Sequence, residues 1–209
     1  MTERKHKIGI LGGTFDPVHI GHLILAQSAY EQLGLEKVIF IPSGKPPHKL
    51  NRADGASDGE RLEMTRLAIE GNSAFELSDM EMDSDEPTYS YLTLKKLSEE
   101  NPENDYYFII GEDSLVDFTS WKNPKEIVKY CHIVAGIRPG STDEKIEEII
   151  EKTKKAVGGD YIHIKSPALE ISSREIRQKI RENRFVKYFI PDRVYDYIMN
   201  NGIYKEQKD

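Results

Sequence analysis

Cysteine is almost absent: Cys131 is the only one in 209 residues. That excludes an intramolecular disulfide framework and a cysteine-based zinc site. Its setting, Tyr130-Cys131-His132-Ile133-Val134, reads as the entrance of a strand. The thiol is expected to be buried and structural, with a reactive thiol as the alternative. Long apolar runs are also missing. Nothing approaches the roughly 20 residues of a membrane span, and residues 1–7 lack the apolar core of a secretory signal. The expectation is a cytoplasmic protein with no membrane contact. Basic excess is missing as well. Lys and Arg number 29 against 36 Asp and Glu, a net charge of −7. This excludes a broadly basic nucleic-acid surface, so no nucleic-acid partner is expected. Any phosphate ligand must find a local, preorganised pocket.

Hydrophobic residues make up 38% of the chain, enough for a full core at this length without a metal or disulfide staple. Short apolar runs alternate with helical patterns. Strands are predicted over Lys7–Leu11, Lys37–Ile41, Tyr106–Ile110, Cys131–Ile137 and Tyr161–Ile164, with a weak one over Phe75–Ser78. Helices are predicted over Gly21–Leu33, Gly59–Glu70 and Ser90–Glu99, then from Asn123-Pro124, over 142–156, and over Ser173–Glu182 and Asp192–Asn200. Ser57 with Glu60, Ser141 with Glu144, and Ser172 with Glu175 have capping-box spacing. Residues 43–58 form a longer loop, of a kind that is often functional. This order implies an α/β fold: a Rossmann-like, doubly wound, mainly parallel sheet with helices on both faces. One domain is expected over residues 1–209, with a small helical portion from about 171 to 209. Ligands of such sheets sit beyond the carboxyl ends of the strands. The residues to read are therefore 12–22, 42–49, 111–113 and Arg138.

The segment after the first strand is Gly12-Gly13-Thr14-Phe15-Asp16-Pro17-Val18-His19-Ile20-Gly21-His22. Its glycines let a backbone approach a ligand closely, and free amides at a helix start favour an anion. His19 and His22, three apart, fall on one side of the first helical turn. Two imidazoles beside such a site can hydrogen-bond phosphate oxygens and stabilise developing charge, with Gly21 leaving room for a nucleotide. Histidines that merely cap and pack are the plainer alternative. Two histidines without a third ligand make a poor zinc site, and no metal-ligating residues are assigned. The spacing is neither a Walker A loop nor Gly-x-Gly-x-x-Gly, which sets aside P-loop and dinucleotide-oxidoreductase readings.

Gly13 through His22 resembles the signature of the HxGH nucleotidyltransferases, and the chain is similar throughout to the bacterial nicotinate mononucleotide adenylyltransferase family. Further matches run in order: Pro42 to Lys49 with Pro46-Pro47-His48-Lys49, Pro87-Thr88-Tyr89-Ser90 through Thr93-Leu94, Phe108 through Ser114, Thr119-Ser120-Trp121, and Ile171-Ser172-Ser173-Arg174-Glu175-Ile176-Arg177. The resemblance implies transfer of AMP from ATP to nicotinate mononucleotide, giving deamido-NAD and pyrophosphate in NAD biosynthesis. It implies backbone contacts to ATP from Gly13, Thr14 and Phe15, with His19 and His22 on the triphosphate. Asp16 would orient the loop, or simply form the turn before Pro17. Ser172, Ser173 and Arg177 would complete the phosphate site, although a plain helix cap also explains Ser172. Many relatives carry a small hydroxyl residue where Arg174 stands, so Arg174 is open between phosphate and solvent.

Gly111 and Asp113 would contact ribose, with Asp113 as a helix cap the alternative. Trp121 would stack on the pyridine ring or lid the core. Ser90 lies where the family reads the pyridine carboxylate with a hydroxyl. Lys122, where relatives often have an aromatic, would suit that carboxylate or point to solvent. His48 and Lys49 would close over substrate phosphate or lie solvated in their loop. Mg²⁺ would be held mainly through the ATP phosphates. The sequence leaves a homo-oligomer open, as well as the amide mononucleotide or another phosphate acceptor as substrate. A nucleotide-binding regulator without turnover is the non-enzyme alternative.

Overall fold

The computed structural model describes residues 5–45, 55–82, 87–137, 143–167 and 169–205, with the side chains of Ile137 and Asp143 left aside. Strands β1 (His6–Gly13), β2 (Lys37–Pro42), β3 (Phe75–Leu77), β4 (Asn104–Gly111), β5 (His132–Ile137) and β6 (Tyr161–Lys165) form one sheet in the order β3-β2-β1-β4-β5-β6. All five pairings are parallel. The helices are α1 (Ile20–Leu33), α2 (Asp58–Ile69), α3 (Ser90–Glu100), α4 (Glu112–Asp117), α5 (Pro124–Ile127), α6 (Asp143–Val157), α7 (Ser173–Arg181) and α8 (Asp192–Asn201). This is the Rossmann-like, doubly wound α/β architecture that the alternation of elements predicts.

The period-2 alternation of β1 and β4 divides the core into two layers. Ile8, Ile10, Tyr106, Phe108 and Ile110 pack with Leu94, Leu115 and Phe118 on one face. Leu11, Tyr107 and Ile109 pack with Ala26, Met64, Ile176, Val194 and Ile198 on the other. Helices thus cover both faces of a parallel sheet, as they must when both faces are apolar.

Local chemistry sets the element ends. Ser57 and Glu60 make the reciprocal capping box at the start of α2. Gly34 closes α1 in the left-handed conformation, φ 59°. Pro124 opens α5 after the Asn123 cap. Ser172 caps α7 by accepting from the Glu175 amide at 3.2 Å. Ser141, the predicted cap of α6, and Arg138 lie outside the described residues. Strand order reverses between β1 and β4, so the crevice at their carboxyl ends is where a ligand belongs.

Candidate active site

A cavity of about 670 Å³ opens at that reversal. Gly12, Gly13 and Thr14 line it from the end of β1, and Ser43 from the end of β2. Ser90 and Thr93 line it from α3, and Trp121 and Lys122 from the turn before α5. The cavity therefore brings together five of the predicted site residues: Gly13, Thr14, Ser90, Trp121 and Lys122. Ser90 is the first residue of α3, whose N-terminal amides and dipole favour a negative group there. The Trp121 indole packs on Phe118, with ring centroids 5.4 Å apart, and edge-on to Phe108 at 6.1 Å. It lids the core and also lines the cavity, so the two readings of this residue are not exclusive. Lys122 and Glu81 are the side chains with a formal charge at neutral pH on the cavity wall among the described residues. Burial pushes the Glu81 carboxyl above its usual range, and the Thr93 hydroxyl donates to it at 2.5 Å.

The histidine pair forms a second cluster at the start of α1. The His19 and His22 rings stack with centroids 3.7 Å apart. His22 Nδ1 accepts from the His19 backbone N–H at 3.2 Å, which leaves the proton of a neutral His22 on Nε2. His19 is 7% exposed, and burial pulls its imidazole down to about 4. It is neutral at pH 7. Phe15, fully buried with φ 48°, meets His22 edge-on at 5.0 Å and holds it upright. The room that Gly21 provides goes to the ring of His19: a Cβ there would lie 3.1 Å from His19 Nδ1. The amide of Ile20 is taken by the carbonyl of Phe189 at 3.0 Å, so the start of α1 is less open to an anion than its sequence predicts.

Asp16 ties this cluster together. Its Oδ1 accepts from the Tyr204 hydroxyl at 2.7 Å and from the Ala56 amide at 3.0 Å. Its Oδ2 lies 3.3 Å from Arg177 Nη1, which also donates to the Asp16 carbonyl at 2.5 Å. These contacts link Asp16 to Ala56, Arg177 and Tyr204, which suits the expectation that it orients the loop. Arg177, expected to reach a triphosphate, has a side chain only 3% exposed, with Nη1 held against the Asp16 carbonyl and carboxylate. The physical reason is docking: the Ser173 hydroxyl donates to the Pro17 carbonyl at 2.9 Å, and position 177, one turn on, then faces inward. Ser172 and Arg174 are exposed at the outer start of α7. Gly111, rather than Asp113, takes the cap position of α4, and Asp113 is exposed in its first turn. His48 and Lys49 lie outside the described residues.

Sequence reasoning missed Arg61 and Tyr204. Arg61 is 3% exposed and donates to the carbonyls of Thr14 at 2.7 Å and Gly44 at 3.1 Å. A signal was available: Arg61 shares one helical face with the buried Met64 and Thr65. Tyr204 follows the end of α8 and carries no local signal. Burial beside the Asp16 carboxylate pushes its hydroxyl far above the usual range.

A glycine-rich turn at the switch of a parallel sheet, a stacked histidine pair and an adjoining cavity with an aromatic wall define a nucleotide-handling α/β protein. The model of the cytidylyltransferase-like family matches residues 10–179. A Clostridium botulinum protein (strain Loch Maree / Type A3) is 42% identical over 199 residues, covering 94% of this chain and 98% of its own. A Thermoanaerobacter protein (strain X514) is 38% identical over 208 residues, covering 99% and 98%. Both carry the name probable nicotinate-nucleotide adenylyltransferase. The chain belongs to the cytidylyltransferase-like family and, within it, to the nicotinate-nucleotide adenylyltransferases. Its fold is also that of a Plasmodium falciparum nicotinic acid mononucleotide adenylyltransferase solved with NaAD, at a TM-score of 0.79 and 24% identity, covering 95% of this chain and 97% of that one.

Proposed function

We propose that this chain transfers AMP from ATP to nicotinate mononucleotide, giving deamido-NAD and pyrophosphate. The carrying observation is the single cavity that joins the Gly13–Thr14 turn to Ser90, Trp121 and Lys122. The nucleotide lies over the turn, and the pyridine ring stacks at Trp121. The ring carboxylate meets the N-terminus of α3, the Ser90 hydroxyl and the Lys122 ammonium, three features that favour an anion. Gly111 and Asp113, at the end of β4, take the ribose. His48 and Lys49, which follow β2 in sequence, act on substrate phosphate.

The nucleophile is the phosphate of the mononucleotide, which is anionic at neutral pH and needs no strong base. One of its oxygens attacks the α-phosphorus of ATP, and the bond to the β-phosphate oxygen breaks in line. Catalysis is positioning plus charge stabilisation. His22, with its proton on Nε2, donates to the triphosphate as the leaving pyrophosphate gains charge. His19 acts as a neutral imidazole beside it. Ser172 and Ser173 bring the start of α7 to the same phosphates. Arg177 serves as a positioning residue: it fixes Asp16 and thereby the turn that carries ATP.

Among the described residues no group of three or more His, Cys, Asp or Glu side chains is placed to hold a metal. Mg²⁺ would be held mainly through the ATP phosphates and would supply positive charge there. Among the described residues no helix is long and apolar enough to cross a membrane. The cytoplasm is the proposed location.

The test is oxygen labelling. Nicotinate mononucleotide carrying ¹⁸O on its phosphate is turned over with ATP and Mg²⁺, and the products are weighed by mass spectrometry. All label is expected in the dinucleotide. Label in pyrophosphate, or no dinucleotide, contradicts the mechanism.

A further inference from the structure

Arg61 occupies a place that stability alone does not explain. It lies on the buried face of α2 beside Met64 and Thr65, where an apolar side chain would pack. Taking a guanidinium out of water costs several kcal/mol, and apolar replacement of a buried ion pair is often neutral or stabilising. What the fork reaches is specific. Nη1 donates to the Thr14 carbonyl at 2.7 Å, and Nη2 to the Gly44 carbonyl at 3.1 Å and to Asp58 Oδ1 at 2.7 Å. Thr14 belongs to the turn after β1, and Gly44 follows Ser43 after β2.

The contact continues across the cavity. Gly44 lies so close to the Glu81 carbonyl that no Cβ fits between them. The Glu81 carboxyl in turn accepts from Thr93 on α3, the helix that begins with Ser90. One planar cation therefore sits at the junction of the carboxyl ends of β1 and β2, and through Gly44 it meets the segment that follows β3. A lysine cannot copy this, because its compact ammonium lacks the rigid fork that serves two carbonyls at fixed directions.

We propose that Arg61 is a positioning residue that sets the ATP-side turn at Thr14 against the acceptor-side turn at Gly44, and so fixes the approach of the mononucleotide phosphate to the α-phosphorus. This rests on the adenylyltransferase reading of the cavity. Arg61 is not among the residues that line the cavity, so its loss leaves each substrate able to bind singly but misaligns the pair. A displacement of about 1 Å between reacting groups is enough to cost roughly 100-fold in rate.

The test compares wild type with Arg61→Lys and Asp58→Asn. Asp58 is a half-exposed partner of the guanidinium, so its variant leaves the core intact. Single-turnover rates are measured with both substrates saturating, well below the melting temperature. Separate Kd values are measured for a non-hydrolysable ATP analogue and for nicotinate mononucleotide. For Arg61→Lys the rate falls by about 10-fold or more while both Kd values stay within about 3-fold. Asp58→Asn shifts the rate in the same direction by a few-fold, and it carries the test alone if Arg61→Lys does not fold. Unchanged rates in the folded variants overturn the proposal. So do Kd values that weaken in step with the rate, because that is the signature of general loosening. Wild-type protein that makes no dinucleotide overturns the underlying reading as well, whereas an active wild type with unaffected variants overturns the role of Arg61 only.

Discussion

The guanidinium of Arg177 grips Asp16 twice, at its main-chain carbonyl, 2.5 Å away, and at its carboxylate, 3.3 Å away, in a setting where both side chains are almost fully buried. Helix α7 is thereby fastened to the turn that follows β1. Removing one partner of a buried ion pair leaves the other charge without compensation, at a cost of about 3–5 kcal/mol. Arg177→Ala is expected to lose stability by that order in urea denaturation followed by circular dichroism. A loss under about 1 kcal/mol would show that Asp16 is held well enough without Arg177.

His22 carries its proton on Nε2 when neutral, because its Nδ1 is occupied by the backbone of its own helix. His22→Ala is expected to lower the turnover number by two to three orders of magnitude, the usual loss for a transition-state donor, with a smaller change in KM for ATP. Pyrophosphate release under saturating substrates measures it. A near-wild-type rate would remove His22 from the mechanism.

His19 gives a pH signature of known sign. Burial holds its folded-state value near 4, against 6.5 for an ordinary histidine. Between those values the unfolded chain binds a proton that the native protein does not, so stability falls as pH drops from 6.5 toward 4 and is flat above. The full effect is on the order of 3 kcal/mol. Urea midpoints of wild type and His19→Gln, compared from pH 8 to pH 4, isolate it from the carboxylates. Wild type is expected to lose ground to the variant only below about pH 6.5. Parallel curves would show that His19 is solvated.

Much of this arrangement is written locally in the chain. The strand runs and the His19/His22 spacing fall where periodicity places them, and so does the capping pair Ser57/Glu60. What local reading cannot reach is the Asp16 hub. Its partners stand 40, 161 and 188 positions away, at Ala56, Arg177 and Tyr204, and no periodicity links them. The same distance in sequence hides the grip of Arg61 on Thr14, although the inward register of Arg61 on α2 was visible. Helix α4, at six residues, is too short to show a period at all.

Trp121 is braced by Phe118 and Phe108 yet faces the cavity. Loss of its stacking surface should fall on one substrate. Trp121→Ala is expected to raise KM for the mononucleotide about 10-fold or more while sparing that for ATP. Equal effects on both would mark the indole as a structural lid.

The most direct measurement is pyrophosphate release by the purified protein with ATP and Mg²⁺, run in parallel with nicotinate mononucleotide and with its amide. Ser90, Lys122 and the start of α3 all favour an anion at the pyridine end of the cavity. Rapid release with the acid and much slower release with the amide is the predicted result. Release with neither, or equal rates with both, would contradict a cavity built to read the carboxylate.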